Sequence, residues 1–128
     1  ARLQLADLFL DTNPYNAHTT ACDALWAGCP VLTQPGQTFA SRVAGSLNQH
    51  HGMQQMNATS DQDYVDKAVQ LAGFPPMLAA LRGRVEDARR NSGLFDIAGY
   101  ARDFTAALTL MFQRSERGLA PEDLGVHA

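Results

Sequence analysis

One stretch limits the fold of this chain more than any other. Asn16-Ala17-His18-Thr19-Thr20-Ala21-Cys22-Asp23-Ala24-Leu25-Trp26-Ala27-Gly28 lies between two short apolar runs, Leu8-Phe9-Leu10 and Pro30-Val31-Leu32. Short apolar runs on either side of a helical pattern read as strand, helix, strand. Cys22, Leu25, Trp26 and Cys29 recur at i, i+3, i+4 and i+7, which predicts one apolar stripe on the helix. Gly28 stands where a helix of this length ends in a left-handed residue. At the other end His18, Thr19 and Thr20 cluster at the helix start, with Asp23 one turn further in. A helix start offers unpaired N–H groups and the positive end of the dipole, so it can hold a phosphate without a metal. The threonine hydroxyls add donors there, and Asp23 can accept from a sugar hydroxyl. The same spacing, Thr20-x-x-Asp23, also reads as a capping box that satisfies the helix's own donors. Spacing leaves both readings open.

The chain has 128 residues, 45% of them hydrophobic and 18% charged. That gives room for one domain with a core and is a globular composition rather than that of a disordered tail. With a net charge of −3 and no basic run, nucleic acid is not an expected partner. Nor is a membrane: no stretch approaches the roughly 18 apolar residues of a span, and no signal-peptide pattern opens the chain. Cys22 and Cys29 stand two helical turns apart, too far to bridge within one helix. They read as buried thiols of a reducing compartment, so a cytoplasmic location is expected. A metal set of His18, Cys22 and Cys29 lacks a fourth ligand at usual spacing.

Taken in order, Ala1–Asp7 reads as the tail of a helix that runs uncapped into the first strand. The sequence is therefore expected to be the C-terminal part of a longer protein. The polar turn 11–16 falls at the carboxyl end of the first strand, the edge where open α/β sheets bind ligands. Thr38 to Leu47 is expected to be a helix with Phe39, Val43 and Leu47 on one face. Asn48 to Gly52 reads as its exit loop, with His50 and His51 solvated. Met53 to Asn57 suggests a short edge strand. Ser60 caps the next helix, with Asp63 at its third position, and Tyr64, Val65, Ala68, Val69, Leu71 and Ala72 form the apolar side. Pro75-Pro76 opens another helix, with Leu78, Leu81 and Val85 inward and Arg82, Arg84, Arg89 and Arg90 largely on a solvated face. Asp96 begins a last helix whose stripe is Ile97, Tyr100, Phe104, Leu108, Met111 and Phe112. The tail from Ser115 is polar and frayed.

At His18-Thr19-Thr20-x-x-Asp23-Ala24-Leu25-Trp26-x-Gly28-x-Pro30 the pattern stops being generic. Preceded by Leu10-Asp11-Thr12 and followed by Gly36-x-Thr38-x-Ala40-Ser41-Arg42-Val43, it closely resembles the C-terminal part of the protein O-GlcNAc transferase family, which also holds the SPINDLY-type enzymes. The match runs from about Arg2 to Leu47, and more loosely through Leu94-Phe95-Asp96 into the last helix. The resemblance implies an α/β fold, part of the second, nucleotide-sugar-binding Rossmann-like domain of a GT-B glycosyltransferase. Residues 1–95 would belong to that domain, 96–114 would be a long helix packing back on the fold, and 115–128 a polar tail.

By the same resemblance, Thr19 and Thr20 hold the diphosphate of a UDP-sugar, Asp23 meets the ribose, His18 lies by the diphosphate–sugar junction and Arg2 beside the uracil. Asn16 and Tyr15 fall in the loop lining the sugar. The implied activity is metal-independent, inverting transfer of GlcNAc from UDP-GlcNAc to protein Ser or Thr hydroxyls, with no cofactor. The family's diphosphate lysine and catalytic base would lie upstream of Ala1, so this chain alone is expected to be inactive and to need that missing part. Three other readings stay open: transfer of fucose from GDP-fucose, a non-catalytic nucleotide-sugar-binding module, and a GT-B transferase acting on a small molecule or lipid. Two departures stand out. Ala17 replaces a common Gly, and Asn48-Gln49-His50-His51 replaces a segment that is usually apolar.

Overall fold

Two parallel strands and the helix between them form the frame that carries the polar 11–18 loop. The computed structural model describes residues 2–124, which fall into two compact units divided between Leu94 and Phe95. In the first unit, β1 (Phe9–Leu10) leads to α1 (Thr19–Trp26) and then to β2 (Val31–Leu32). The strands pair in parallel, Phe9 with Val31 and Leu10 with Leu32. The Phe9 N–H donates to the Pro30 carbonyl at 2.8 Å and the Asp11 N–H to that of Leu32 at 2.9 Å. The predicted strand–helix–strand order is the observed one.

The buried side of α1 differs from the predicted stripe. Ala21, Ala24 and Leu25 are fully buried, whereas Trp26 is 57% exposed and Cys22 only half-buried. Small alanines let the helix sit close on the sheet, and Trp26, one step round the helix from Leu25, turns to the Arg89 guanidinium, 5.6 Å from its ring centre. Cys29 is buried beyond the helix end. Gly28 takes φ +82°, the expected left-handed stop. A Cβ there would also come within 3.2 Å of Glu86 Cγ.

Helices α2 (Val43–His50), α3 (Asp61–Gly73) and α4 (Pro75–Asn91) complete this unit. Ser60 caps α3 as expected, accepting from the Asp63 N–H at 3.1 Å, and Pro75 and Pro76 open α4. Of the apolar side predicted for α3, only Leu71 is buried; Val65 and Val69 are exposed.

Four segments depart from expectation. Arg2–Leu5 is a 3-10 turn, not the tail of an α-helix, because Arg82 reaches back and donates to the carbonyls of Gln4, at 3.1 Å, and Ala6. The helix expected over Thr38–Leu47 is a 3-10 turn, Phe39–Ser41, followed by α2, and Phe39 lies off its apolar face at 77% exposure. α2 then runs on through Asn48, which is buried because its amide donates to the Val31 carbonyl and to Asn57 Oδ1, each at 2.9 Å. His51 is likewise buried rather than solvated. Its Nδ1 lies 3.1 Å from Ser92 Oγ and its Nε2 3.1 Å from the Val85 carbonyl. Burial lowers the pKa of this imidazole below its ordinary value, and the Val85 hydrogen bond partly opposes that. Finally, Gln54–Met56 is a 3-10 turn instead of an edge strand, and Asn57 alone bridges to Thr33 in parallel.

The second unit contains α5 (Ile97–Glu116), whose first turn is capped by the Asp96 carboxylate accepting from the Gly99 N–H at 2.9 Å. Arg114 pairs with Glu122 at 2.5 Å and donates through Nε to the Ala120 carbonyl at 2.6 Å, folding the chain after α5 back on the helix end. Among the described residues no helix is long and apolar enough to cross a membrane. His127 and the rest of the tail from residue 125 lie outside the described residues.

Candidate functional site

The loop from β1 to α1 is pinned from inside by Asp11. This carboxylate is 5% exposed. Its Oδ1 accepts from the Ala17 N–H at 2.7 Å and its Oδ2 from the Thr33 hydroxyl at 2.6 Å. The Asp11 carbonyl accepts from the Tyr64 hydroxyl at 2.6 Å, so α3 ties down the same point. Asn16 is 1% exposed and returns the loop on itself, its amide donating to the Thr12 carbonyl at 3.2 Å. The residues before the helix are thereby fixed in place, and the orientation of the α1 start follows from them.

The start of α1 carries no side-chain cap. His18 is the N-cap residue and its side chain makes no capping hydrogen bond. Thr20 is the second helical residue, so the Thr20-x-x-Asp23 box does not form. The N–H groups of Ala21 and Cys22 are both taken by the His18 carbonyl, at 3.1 Å. Thr19 and Thr20 occupy the first two helical positions, whose N–H groups have no intrahelical acceptor. Asp11 already takes the Ala17 N–H, so among the described residues the donors left without an acceptor at the helix start include the N–H groups of Thr19 and Thr20.

A cleft of about 330 Å³ opens in front of this helix start, lined by Asp11, Tyr15, Asn16, Ala17, His18 and Thr20 among others. His18 is held between aromatic rings: Tyr15 stacks on it at 4.9 Å and Phe39 meets it edge-on at 6.0 Å. Among the described residues no Lys or Arg lines the cleft, so the positive potential on this side comes from the helix end. Of the residues singled out from sequence, Tyr15, Asn16, His18 and Thr20 share the cleft. Thr19 and Asp23 are exposed on α1 beside it, and Arg2 is exposed in the 3-10 turn before β1. The Asp23 carboxylate makes no hydrogen bond or ion pair among the described residues, while its carbonyl accepts from the Ala27 N–H at 3.0 Å. Its charge and, more strongly, burial raise the Cys22 pKa, which keeps that sulfur a thiol. No group of three or more His, Cys, Asp or Glu comes together as a metal set among the described residues, and His18, Cys22 and Cys29 form none.

Two parts of the site were not legible beforehand. Asp11 reads in sequence as a turn residue, because its partner Thr33 lies 22 positions away. The Phe39–Ser41 wall behind His18 reads as helix, because Phe39, Val43 and Leu47 happen to keep helical spacing.

Residues 1–104 match the family model of glycosyl transferase family 41. A UDP-N-acetylglucosamine–peptide N-acetylglucosaminyltransferase of Caenorhabditis elegans is 42% identical over 118 residues, which is 92% of this chain and 10% of that protein. A probable enzyme of the same name, SEC, from Arabidopsis thaliana is 37% identical over 126 residues, 98% of this chain and 13% of that protein. The solved structure of a mutant O-GlcNAc transferase from Thermobaculum terrenum superposes with a TM-score of 0.71 at 34% identity, covering 84% of this chain and 20% of that one. The chain thus spans about a tenth of the length of the curated relatives it matches. The partial α/β domain expected from the sequence agrees with this likeness.

Proposed function

This chain belongs to glycosyl transferase family 41, and from that premise we propose that it is the UDP-sugar-binding part of a transferase moving GlcNAc from UDP-GlcNAc to protein Ser or Thr hydroxyls. The observation that carries the reading is the uncapped start of α1 at the mouth of a cleft. A helix N-terminus with two free N–H groups and two threonine hydroxyls is a donor array for a diphosphate. Thr19 and Thr20 take the phosphate oxygens and His18 the junction with the sugar. Asp23, one turn along on the exposed side, accepts from the ribose hydroxyls. Tyr15 and Asn16 border the sugar, and Arg2 lies toward the base. The helix end and the threonine hydroxyls form an arrangement that can hold a diphosphate without a metal ion. The relatives' names favour GlcNAc over fucose as the transferred sugar. Two free cysteines fit a cytoplasmic site of action.

The test is titration calorimetry with UDP and with pyrophosphate. Thr20→Val removes one hydroxyl donor and should weaken UDP binding by roughly 1–2 kcal/mol, the scale of a hydrogen bond to a charged group. Asp23→Ala should weaken UDP binding and leave pyrophosphate binding unchanged. Unaltered UDP affinity in both variants would rule out the helix start as the nucleotide site.

A further inference from the structure

His18 is held by groups that lie outside its own helix. Its Nε2 stands 3.3 Å from the Ala40 carbonyl oxygen. A carbonyl only accepts, so Nε2 carries a hydrogen. The same oxygen accepts from the Asn16 N–H at 3.0 Å, which ties the loop and the imidazole to one point. Nδ1 has no hydrogen-bond partner among the described residues, and the ring lines the cleft.

The turn presenting Ala40 is cross-tied. The Thr38 N–H donates to Ser41 Oγ at 3.1 Å, the Ser41 N–H to Thr38 Oγ1 at 3.3 Å, and Ser41 Oγ–H to the Thr38 carbonyl at 3.0 Å. The Ser41 carbonyl in turn accepts from the Gly36 N–H at 2.7 Å. A Cβ at Gly36 would lie 2.5 Å from Ser41 Oγ, so the approach to the turn tolerates only glycine there without a shift. Such a turn has little freedom to move the Ala40 carbonyl or the Phe39 ring.

We propose that the Thr38–Ser41 turn is a positioning device for His18, fixing the imidazole with a hydrogen on Nε2 and leaving Nδ1 as the nitrogen that meets the diphosphate of the donor. This rests on the nucleotide-sugar reading above and assigns new roles within it. A diphosphate oxygen accepts only, so contact with it needs a hydrogen on Nδ1 directed at the ligand while Nε2 donates to Ala40. Because the turn and the Tyr15 and Phe39 rings already hold the ring's plane, the donor is aimed before negative charge develops on the departing diphosphate. Thr38 and Phe39 act through His18 and touch no substrate themselves.

The experiment is a double-mutant cycle in the full-length protein, read on UDP affinity and on turnover of UDP-GlcNAc. Thr38→Val should lower donor kcat about five- to tenfold and UDP affinity about two- to threefold, while Thr38→Ser keeps both near wild type. Phe39→Ala should act in the same direction; at 77% exposure its truncation leaves the fold intact, so it carries the cycle if Thr38→Val does not fold. In a His18→Ala background neither substitution should have a further effect. Wild-type behaviour of both variants, or losses of equal size without His18, would overturn the positioning role. A wild type that binds UDP yet turns over no UDP-GlcNAc would refute the proposed function, and the affinity cycle would still decide the role of the turn. A wild type that binds no UDP would overturn both.

Discussion

Replacing Thr33 by Val isolates the tie that holds the β1–α1 loop. Thr33 is fully buried, and its hydroxyl donates to Asp11 Oδ2 at 2.6 Å. Val has nearly the same shape, so no cavity opens, but one oxygen of a buried carboxylate loses its donor. A hydrogen bond to a charged group contributes about 1.5–3 kcal/mol, and an unpaired buried acceptor adds its desolvation cost, so the expected loss is about 2 kcal/mol. For a chain of 128 residues that corresponds to a fall in Tm of about 7 °C. Thermal and urea unfolding followed by circular dichroism measure it, with an unchanged urea m-value as the sign that only stability has moved. Thr33→Ser keeps the hydroxyl and should lose only about 1 kcal/mol, the share of one buried methyl. A loss below about 0.5 kcal/mol in Thr33→Val would mean that Asp11 finds another donor, and the account of the loop as pinned from inside would be wrong.

Three further outcomes follow from the same physics. Gly28→Ala puts a Cβ at φ +82° and within 3.2 Å of Glu86 Cγ, so it should cost about 1–2 kcal/mol in urea unfolding, a loss that pairing it with Glu86→Ala reduces but does not remove. His51 is buried in its neutral form with a lowered pKa. The unfolded chain therefore binds the proton more readily, and stability should be full above about pH 6.5 and fall as the pH drops below it; denaturation midpoints at pH 5 and 7.5 should differ in wild type and converge in His51→Gln. Arg89 donates to the Trp26 carbonyl at 2.9 Å, the negative end of α1, and lies over the indole; Arg89→Ala should cost about 1 kcal/mol and quench or shift the Trp26 fluorescence.

What sequence could tell about this protein was local. The apolar runs around Phe9 and Val31, the stop at Gly28, the caps at Ser60 and Asp96 and the paired prolines opening α4 are each set by residues within a turn of one another. The backbone geometry they need is short-range, so residue type and spacing are enough. The cluster His18-Thr19-Thr20 at a helix start was visible for the same reason. Tertiary structure decided that this start is left uncapped: Thr20-x-x-Asp23 satisfies the spacing of a cap, yet the cap does not form, because Asp11 and the 38–41 turn hold the loop so that His18 becomes the N-cap residue. It also decided which face of α1 is buried, since the alanines and not Cys22 and Trp26 meet the sheet. The decisive contacts join residues far apart in the chain. Thr33 lies 22 positions from Asp11, His51 34 from Val85 and Tyr64 53 from Asp11. No spacing rule reaches across such distances, because a buried polar group finds its partner only after the elements have packed.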